Sequence, residues 1–269
     1  DELCTMEPIR EGARAGFKLV KRYGHSTFTQ KILLYGHSRR IDFETTVNWQ
    51  EDHVVLKALF PLDIHSNEAT YEIQFGHVKR PTHGNTSWDA AKFEVCGQKW
   101  ADLSEDDYGV SLLNDCKYGH HVQDGVMGLT LLKAASYPNP HADREIHHFT
   151  YALYPHKGNA TQGGTIPEAQ NLNNPLLAVP VKQQVGPLPD RYSFLSCEEP
   201  DVLVETVKKA EDSDDFIVRL YETANRRGRA SLTFGFDVSK VVLCNLMEQE
   251  LEEVPLDGNQ VSIPVGPFE

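Results

Sequence analysis

The chain has 269 residues, 40% hydrophobic and 24% charged, with a formal net charge of −13. That length gives ample core for one large all-β domain or two unequal domains, and the composition is that of an ordinary soluble globular protein. The acidic balance argues against sequence-independent binding to nucleic acid or to an anionic membrane face, and no apolar run approaches the roughly 18 residues a bilayer span needs.

The opening residues, DELCTMEPIR, lack the basic and apolar regions of a secretory signal. Strand patterns follow at once. FKLVKRY (17–23) and TFTQKILLY (27–35) predict a hairpin around a Gly-containing turn. IDFETTVNW (41–49) alternates, with Ile41, Phe43, Thr45, Val47 and Trp49 on one face and Asp42, Glu44, Thr46 and Asn48 opposite. Further strands are predicted over 53–64, 70–78, 110–115, 126–134 and 147–156, and nothing in the first hundred residues holds a helical period for twelve residues. Between Asn171 and Asp190 four prolines, at 175, 180, 187 and 189, predict an extended crossing segment, and a domain boundary is expected near residue 193. Beyond it, strands predicted over 202–211, 214–223, 229–236, 241–251 and 261–269 are separated by polar turns such as EDSDD (211–215), the pattern of a small β-sandwich. With no residues after the last strand, this sandwich is expected to be cut short at its end.

Five cysteines, Cys4, Cys96, Cys116, Cys197 and Cys244, stand far apart and form no CxxC or CxxH pair, so no zinc knuckle or redox dithiol is written here. Buried free thiols in a reducing compartment are expected. The sequons at Asn85 and Asn159 are then chance matches. The adjacent pairs His120-His121 and His147-His148 point to opposite faces of a strand, so neither chelates one ion, and surface or loop histidines are expected. Asp102, Glu105, Asp106 and Asp107 read as a solvated turn more readily than as a pair of glycosidase carboxylates. No nucleophile elbow, phosphate-binding glycine loop or dinucleotide fingerprint is present.

All three tryptophans, Trp49, Trp88 and Trp100, fall between Arg39 and Gly119, among polar signatures unlike ordinary strand sequence. Trp49 is expected in the core. Trp88 and Trp100 flank polar loops, where sugar stacking and loop wedging both remain open.

The segments RRIDFETTVNW (39–49), LKALFPLDI (56–64), ATYEIQFGHVKRPTHGNTSWDAAKFEVCGQKWADLSE (69–105), YGVSLLNDCKYG (108–119), FTYALYPHKG (149–158) and ETVKKAED (205–212) carry one resemblance in order. The chain resembles the carboxy-terminal region of family-38 glycoside hydrolases of the cytosolic or vacuolar α-mannosidase type. The resemblance implies an all-β fold, with a galactose-mutarotase-like supersandwich over residues 1–192 and a small, truncated β-sandwich over 193–269. It implies a cytoplasmic, retaining exo-α-mannosidase whose nucleophile, acid/base carboxylate and divalent metal, usually zinc, belong to an upstream β/α barrel. No position here matches those groups, so this chain is expected to hold no catalytic residue and no metal, and to be inactive alone. Its expected partners are that barrel and a mannose-containing oligosaccharide, without nucleic acid or membrane. Homo-oligomerisation stays open.

Two polar segments are the expected pocket wall or barrel contact: Arg80, His83, Asn85, Trp88 and Asp89 in one, Asn114, Asp115, Lys117 and Tyr118 in the other. The alternative for these groups is that they fix loop shape. Two other functions are weighed. A carbohydrate-binding sandwich would need coplanar exposed aromatics on one sheet face. A mutarotase-like enzyme would need His83 or His120 to converge with Glu94 or Glu105 in an open cleft.

Overall fold

The computed structural model describes residues 2–182, 185–187 and 189–269. The chain divides into two compact units, Asp1–Leu177 and Ala178–Glu269, so the expected boundary near residue 193 lies inside the second unit.

The first unit opens with three ten-residue strands, β1 (Glu2–Glu11), β2 (Arg14–Tyr23) and β3 (Ser26–Tyr35). Then come β4 (Ile41–Asn48), β5 (Leu56–Pro61), β6 (Glu68–Ile73) and β7 (Gly76–Pro81), followed by a single helical turn, α1 (Ser87–Ala90). Five strands follow: β8 (Val95–Cys96), β9 (Trp100–Ser104), β10 (Gly109–Asn114), β11 (Gly119–Gln123) and β12 (Val126–Leu132). The unit closes with β13 (Ile146–His156) and two short helices, α2 (Ala160–Gly163) and α3 (Thr165–Asn173). A nine-stranded sheet runs in the order β1-β2-β3-β4-β13-β10-β9-β6-β7, and a four-stranded sheet runs β5-β12-β11-β8. Every pairing is antiparallel.

The main core joins residues of the two sheets, among them Val47, Trp49, Tyr71, Leu112, Met127, Leu129 and Phe149. Trp49, the residue just after β4 and in line with its apolar face, is wholly buried. The opposite face of the large sheet packs a second core of Trp100, Leu113, Ala152, Ala160, Ile166 and Ala169, supplied partly by α2 and α3. β10 is therefore buried at all six positions, which explains its near-continuous apolar reading. Asp42, assigned to the polar face of β4, is buried there. It accepts from Arg40 Nε at 2.7 Å and from the Tyr35 hydroxyl at 2.7 Å, while Arg40 Nη1 reaches the Glu168 carboxylate at 3.3 Å and so ties α3 to the sheet.

Several local expectations are corrected. Residues 70–78 form a hairpin, β6 and β7, turning where Phe75 takes a positive φ of 54°. Helix α3 enters the segment expected to be extended. Its nine residues are too short to show a helical period, and Pro167 sits in the first turn, where its missing N–H costs nothing. Four of the cysteines are exposed and Cys197 is partly buried, so the expectation of buried thiols fails.

Beyond the small sheet, β1 to β3 extend with two contrasting faces. Cross-strand register puts Leu3, Met6, Phe17 and Leu34 on the same side as Ile32, Phe43 and Val47, yet each of the four is about half exposed. The other side carries the row Glu7, Lys18, Lys31 and Glu44, with ion pairs Lys18–Glu7 at 3.4 Å and Lys31–Glu11 at 2.6 Å. Gly16 is required within these strands, because a Cβ there would stand 1.8 Å from the Ile32 carbonyl oxygen. Gly16→Ala is expected to cost about 1–3 kcal/mol through forced separation of β2 and β3. A urea midpoint unchanged from wild type would contradict that close approach.

The second unit contains β14 (Leu195–Cys197), β15 (Val202–Lys209), β16 (Phe216–Glu222) and β17 (Gly228–Phe234). β18 (Val241–Cys244), β19 (Glu250–Val254), β20 (Leu256–Asp257) and β21 (Gln260–Val265) complete it. One sheet runs β14-β17-β21-β20, with two-stranded ladders β15-β16 and β18-β19. The predicted strand over 241–251 is thus broken into β18 and the start of β19, at a turn where Glu248 has a φ of 63°. EDSDD forms the turn between β15 and β16. Buried Tyr221, Ala230, Leu232, Val261 and Val265 supply this unit's core. The buried Glu222 carboxylate accepts backbone N–H bonds from Ala224, Arg226 and Phe268 at 2.7–3.1 Å.

Candidate functional site

The segment after β7 is shaped by its own short polar side chains. Thr86 caps α1: its hydroxyl accepts from the Asp89 N–H at 3.1 Å and donates to the Asp89 carboxylate at 2.7 Å. The Thr86 hydroxyl, with help from Lys92, holds the Asp89 carboxyl below its ordinary range. The chain then returns as β8, which pairs with β11 at Gly119 and His120. Between these segments lies a cleft lined by Tyr71, Arg80, His83, Asp89, Phe93, His120 and Gln123, among others.

His120 is the deepest of these groups. It alternates with Val122 on the inward side of β11, is wholly buried, and packs edge-on to Tyr71 at 6.1 Å between ring centroids. Gly97 makes room for the ring, since a Cβ there would stand 2.8 Å from His120 Cδ2. Burial pushes the imidazole pKa down to about 4, and the Arg80 charge adds to this against the Gln98 carbonyl and Glu94. The ring is therefore neutral at pH 7. Arg80 lies over the Tyr71 ring, 4.7 Å from its centroid. Burial raises the Tyr71 phenol to about 12, opposed by Arg80. Buried Arg80 Nη1, His83 Nδ1 and both nitrogens of His120 make no hydrogen bond of ordinary geometry to a protein group.

The nine expected residues separate into groups. Arg80, His83 and Asp89 share the cleft. Asn85 is exposed on the loop, and Trp88 projects from α1 at 81% exposure. Asn114 is buried. Its Oδ1 accepts from Cys116 and Lys117 N–H at 3.1 and 2.6 Å, and its Nδ2 donates to the Gln98 carbonyl at 2.9 Å. Asp115 Oδ2 accepts from Thr150 N–H at 2.8 Å. These two residues shape their turn. Lys117 Nζ sits 4.5 Å from the Phe149 ring centroid, and Tyr118 is 59% exposed while its carbonyl accepts from Gly97 N–H. The second segment is tied to Gly97 and β8 through Tyr118 and Gly119, while Arg80, His83 and Asp89 line the cleft, to which the 114–118 turn contributes no residue.

Sequence reasoning missed two buried polar centres. His120, expected at a surface or in a loop, is one; its alternation with Val122 was the available signal. Asp102 is the other. Glu105, Asp106 and Asp107 do occupy the β9–β10 turn, but Asp102 is 1% exposed in the second core. Its Oδ2 accepts from Ser111 Oγ at 2.7 Å and lies 2.7 Å from His156 Nε2, and its Oδ1 accepts from Ser104 Oγ at 2.8 Å. Ser111 Oγ also lies 2.6 Å from the Thr165 hydroxyl and 3.1 Å from the same His156 nitrogen. A catalytic relay would use both imidazole nitrogens in turn and an accessible serine. This arrangement has neither, and it joins β9, β10, β13 and α3 as a structural knot.

The cleft also bears on the two alternative functions. No glutamate appears among its lining residues; Glu94 is held by Lys57 and Thr130, and Glu105 accepts from His65 N–H. The exposed aromatics Trp88 and Phe93 lie on α1 and the loop after it, while exposed Phe17 and Tyr23 lie on β2 of the large sheet. Among the described residues, no group of three or more His, Cys, Asp or Glu side chains is placed to hold a metal ion.

The C-terminal domain of glycosyl hydrolases family 38 matches residues 2–141, and the family-38 C-terminal beta sandwich domain matches residues 201–269. The chain belongs to glycosyl hydrolase family 38. It is 43% identical to Alpha-mannosidase 2C1 of Mus musculus, over 91% of this chain and 24% of that protein. With Alpha-mannosidase G of Dictyostelium discoideum it shares 40% identity, over 91% of this chain and 23% of the relative. The family-38 chain thus spans about a quarter of the length of these curated relatives. A solved family-38 structure from Enterococcus faecalis superposes with a TM-score of 0.81 at 17% identity, covering 98% of this chain and 35% of that one. This likeness establishes the shared all-β fold. No helix among the described residues is long and apolar enough to cross a membrane.

Proposed function

We propose that this family-38 chain is the C-terminal, non-catalytic part of a cytoplasmic, retaining exo-α-mannosidase that removes terminal non-reducing α-D-mannose from oligosaccharides. The observation that carries this reading is the match to α-mannosidases over nine-tenths of this chain but a quarter of their length. In this reading the nucleophile, the acid/base carboxylate and a divalent metal, usually zinc, lie upstream. The side chains described here do not fit a metal site. No step of hydrolysis is assigned to them.

The role left to this chain is architectural. The half-exposed apolar face of β1 to β3, backed by a charged face, supports it as a buttress for the upstream catalytic region. Lys117 and Tyr118, carried on a turn braced by Asn114 and Asp115, are the residues proposed to wall the sugar pocket. Arg80, His83 and Asp89 line the cleft instead.

The test uses a chromogenic α-mannoside. The chain alone is expected to leave it unhydrolysed, and the full-length enzyme to cleave it. In the full-length enzyme, Lys117→Ala is expected to lower kcat/KM roughly tenfold, equivalent to about 1.4 kcal/mol of transition-state binding, with little change in thermal stability. Turnover by the isolated chain, free of host mannosidase, would overturn the assignment. Unchanged kinetics of the Lys117 variant would remove the pocket-wall role.

A further inference from the structure

We propose that the Arg80–His120 cleft is an oxyanion-binding site that takes the carboxylate or phosphate group of a small ligand. The proposal is independent of the α-mannosidase reading, since it rests on groups within this chain.

Three observations converge. Among the described residues, three side chains lining one cleft hold buried nitrogens without a hydrogen bond of ordinary geometry: Arg80 Nη1, His83 Nδ1, and the ring nitrogens of wholly buried His120, whose one polar protein neighbour is the Gln98 carbonyl. Such groups are costly to bury unsatisfied, and more so when charged. The cation among them has no opposing carboxylate. Among the described residues Arg80 makes no ion pair, whereas the cleft's acidic residue, Asp89, is bonded to Thr86 and lies 3.5 Å from Lys92 Nζ. The Tyr71 ring beneath the guanidinium orients it without neutralising its charge. The cleft is partly open to solvent, with about 30 Å³ of space at its floor. That admits single oxygen atoms of a ligand whose remainder stays outside, and excludes a whole sugar ring.

A water molecule in that space would satisfy some of the nitrogens and leave the guanidinium charge uncompensated. An oxyanion oxygen supplies acceptor lone pairs and negative charge together, and hydrogen bonds from guanidinium to an anion are roughly twice as strong as neutral ones. A neutral imidazole donates from one nitrogen, so His120 and His83 contribute N–H donors without adding charge. The rest of the ligand would lie outward, toward exposed Phe93.

The experiment titrates inorganic phosphate, and separately acetate, into the chain at constant ionic strength, following histidine ring resonances by ¹H–¹⁵N spectroscopy and heat by calorimetry. Saturable one-site binding is expected, with a Kd on the order of 1 mM. Arg80→Met should weaken it at least about tenfold, the loss of one charge-assisted contact. Lys79→Ala, which removes an equal charge from an exposed neighbour on β7, should change it less than about twofold because solvent screens that site. If Arg80→Met does not fold, His83→Ala on the loop carries the test, with a loss of at least about threefold expected. Equal effects from sodium chloride, an unsaturable response, or binding unaffected by both cleft variants would overturn the proposal.

Discussion

Asp102→Ala is expected to remove about 3–5 kcal/mol from the stability of the first unit, because it strips the acceptor from a buried polar network. Three groups converge on this carboxylate, from Ser104, Ser111 and His156, and Asp102, Ser111 and His156 are all buried. Ser111→Ala removes one hydroxyl from the same knot and is expected to cost less, about 1–2 kcal/mol. The three tryptophans all lie in the first unit, so urea unfolding followed by tryptophan fluorescence reads its transition separately from the second. A loss below about 1 kcal/mol for Asp102→Ala would show that the network contributes little beyond its packing.

The second large effect concerns pH. His120 has its pKa lowered to about 4 by burial, from 6.5. Between those values the unfolded chain binds a proton at this site and the folded chain does not. Stability is therefore lost as pH falls from about 6.5 to about 4, by about 3 kcal/mol, and changes no further from this group below that. Arg80 and Glu94 face the imidazole with opposite effects, as do burial and the Gln98 carbonyl. His120→Leu keeps an apolar side chain in the space and removes the titrating group. The difference in stability between wild type and His120→Leu should shrink or reverse as pH is lowered through this window. A difference that stays constant from pH 7 to pH 4 would mean the ring is protonated as easily in the folded state as in the unfolded one.

The strand content was legible because the main core is built from period-two segments. β4 shows it best: Phe43, Thr45 and Val47 alternate toward the interior, and Trp49 just beyond its end continues the pattern. Turns between long strands were legible where glycine marked them, as at Gly24, whose φ is positive. The turn at Phe75 was not, since a bulky residue in that conformation gives no local signal. Helix α3 was hidden for a different reason. It is stabilised by burying Ile166 and Ala169 against the outer face of the large sheet, a partner invisible to local periodicity.

The polar residues divide along the same line. Arg80, His83 and Asp89 could be gathered in advance because they lie within ten residues on one Pro- and Gly-containing segment. His120 and Tyr71 join them only through the β8–β11 pairing and the β6 strand, contacts of long sequence separation. Asp102 looked like one member of an acidic turn, since composition cannot tell a solvated carboxylate from one facing Ser111 and His156. The sequence alone determined the all-β class, the burial of Trp49 and, through ordered motifs, the family. Which polar groups are buried, and which of those lack partners, was decided by tertiary structure. Desolvation and hydrogen bonding depend on which strands and helices cover a side chain, and that is a property of the assembled sheets.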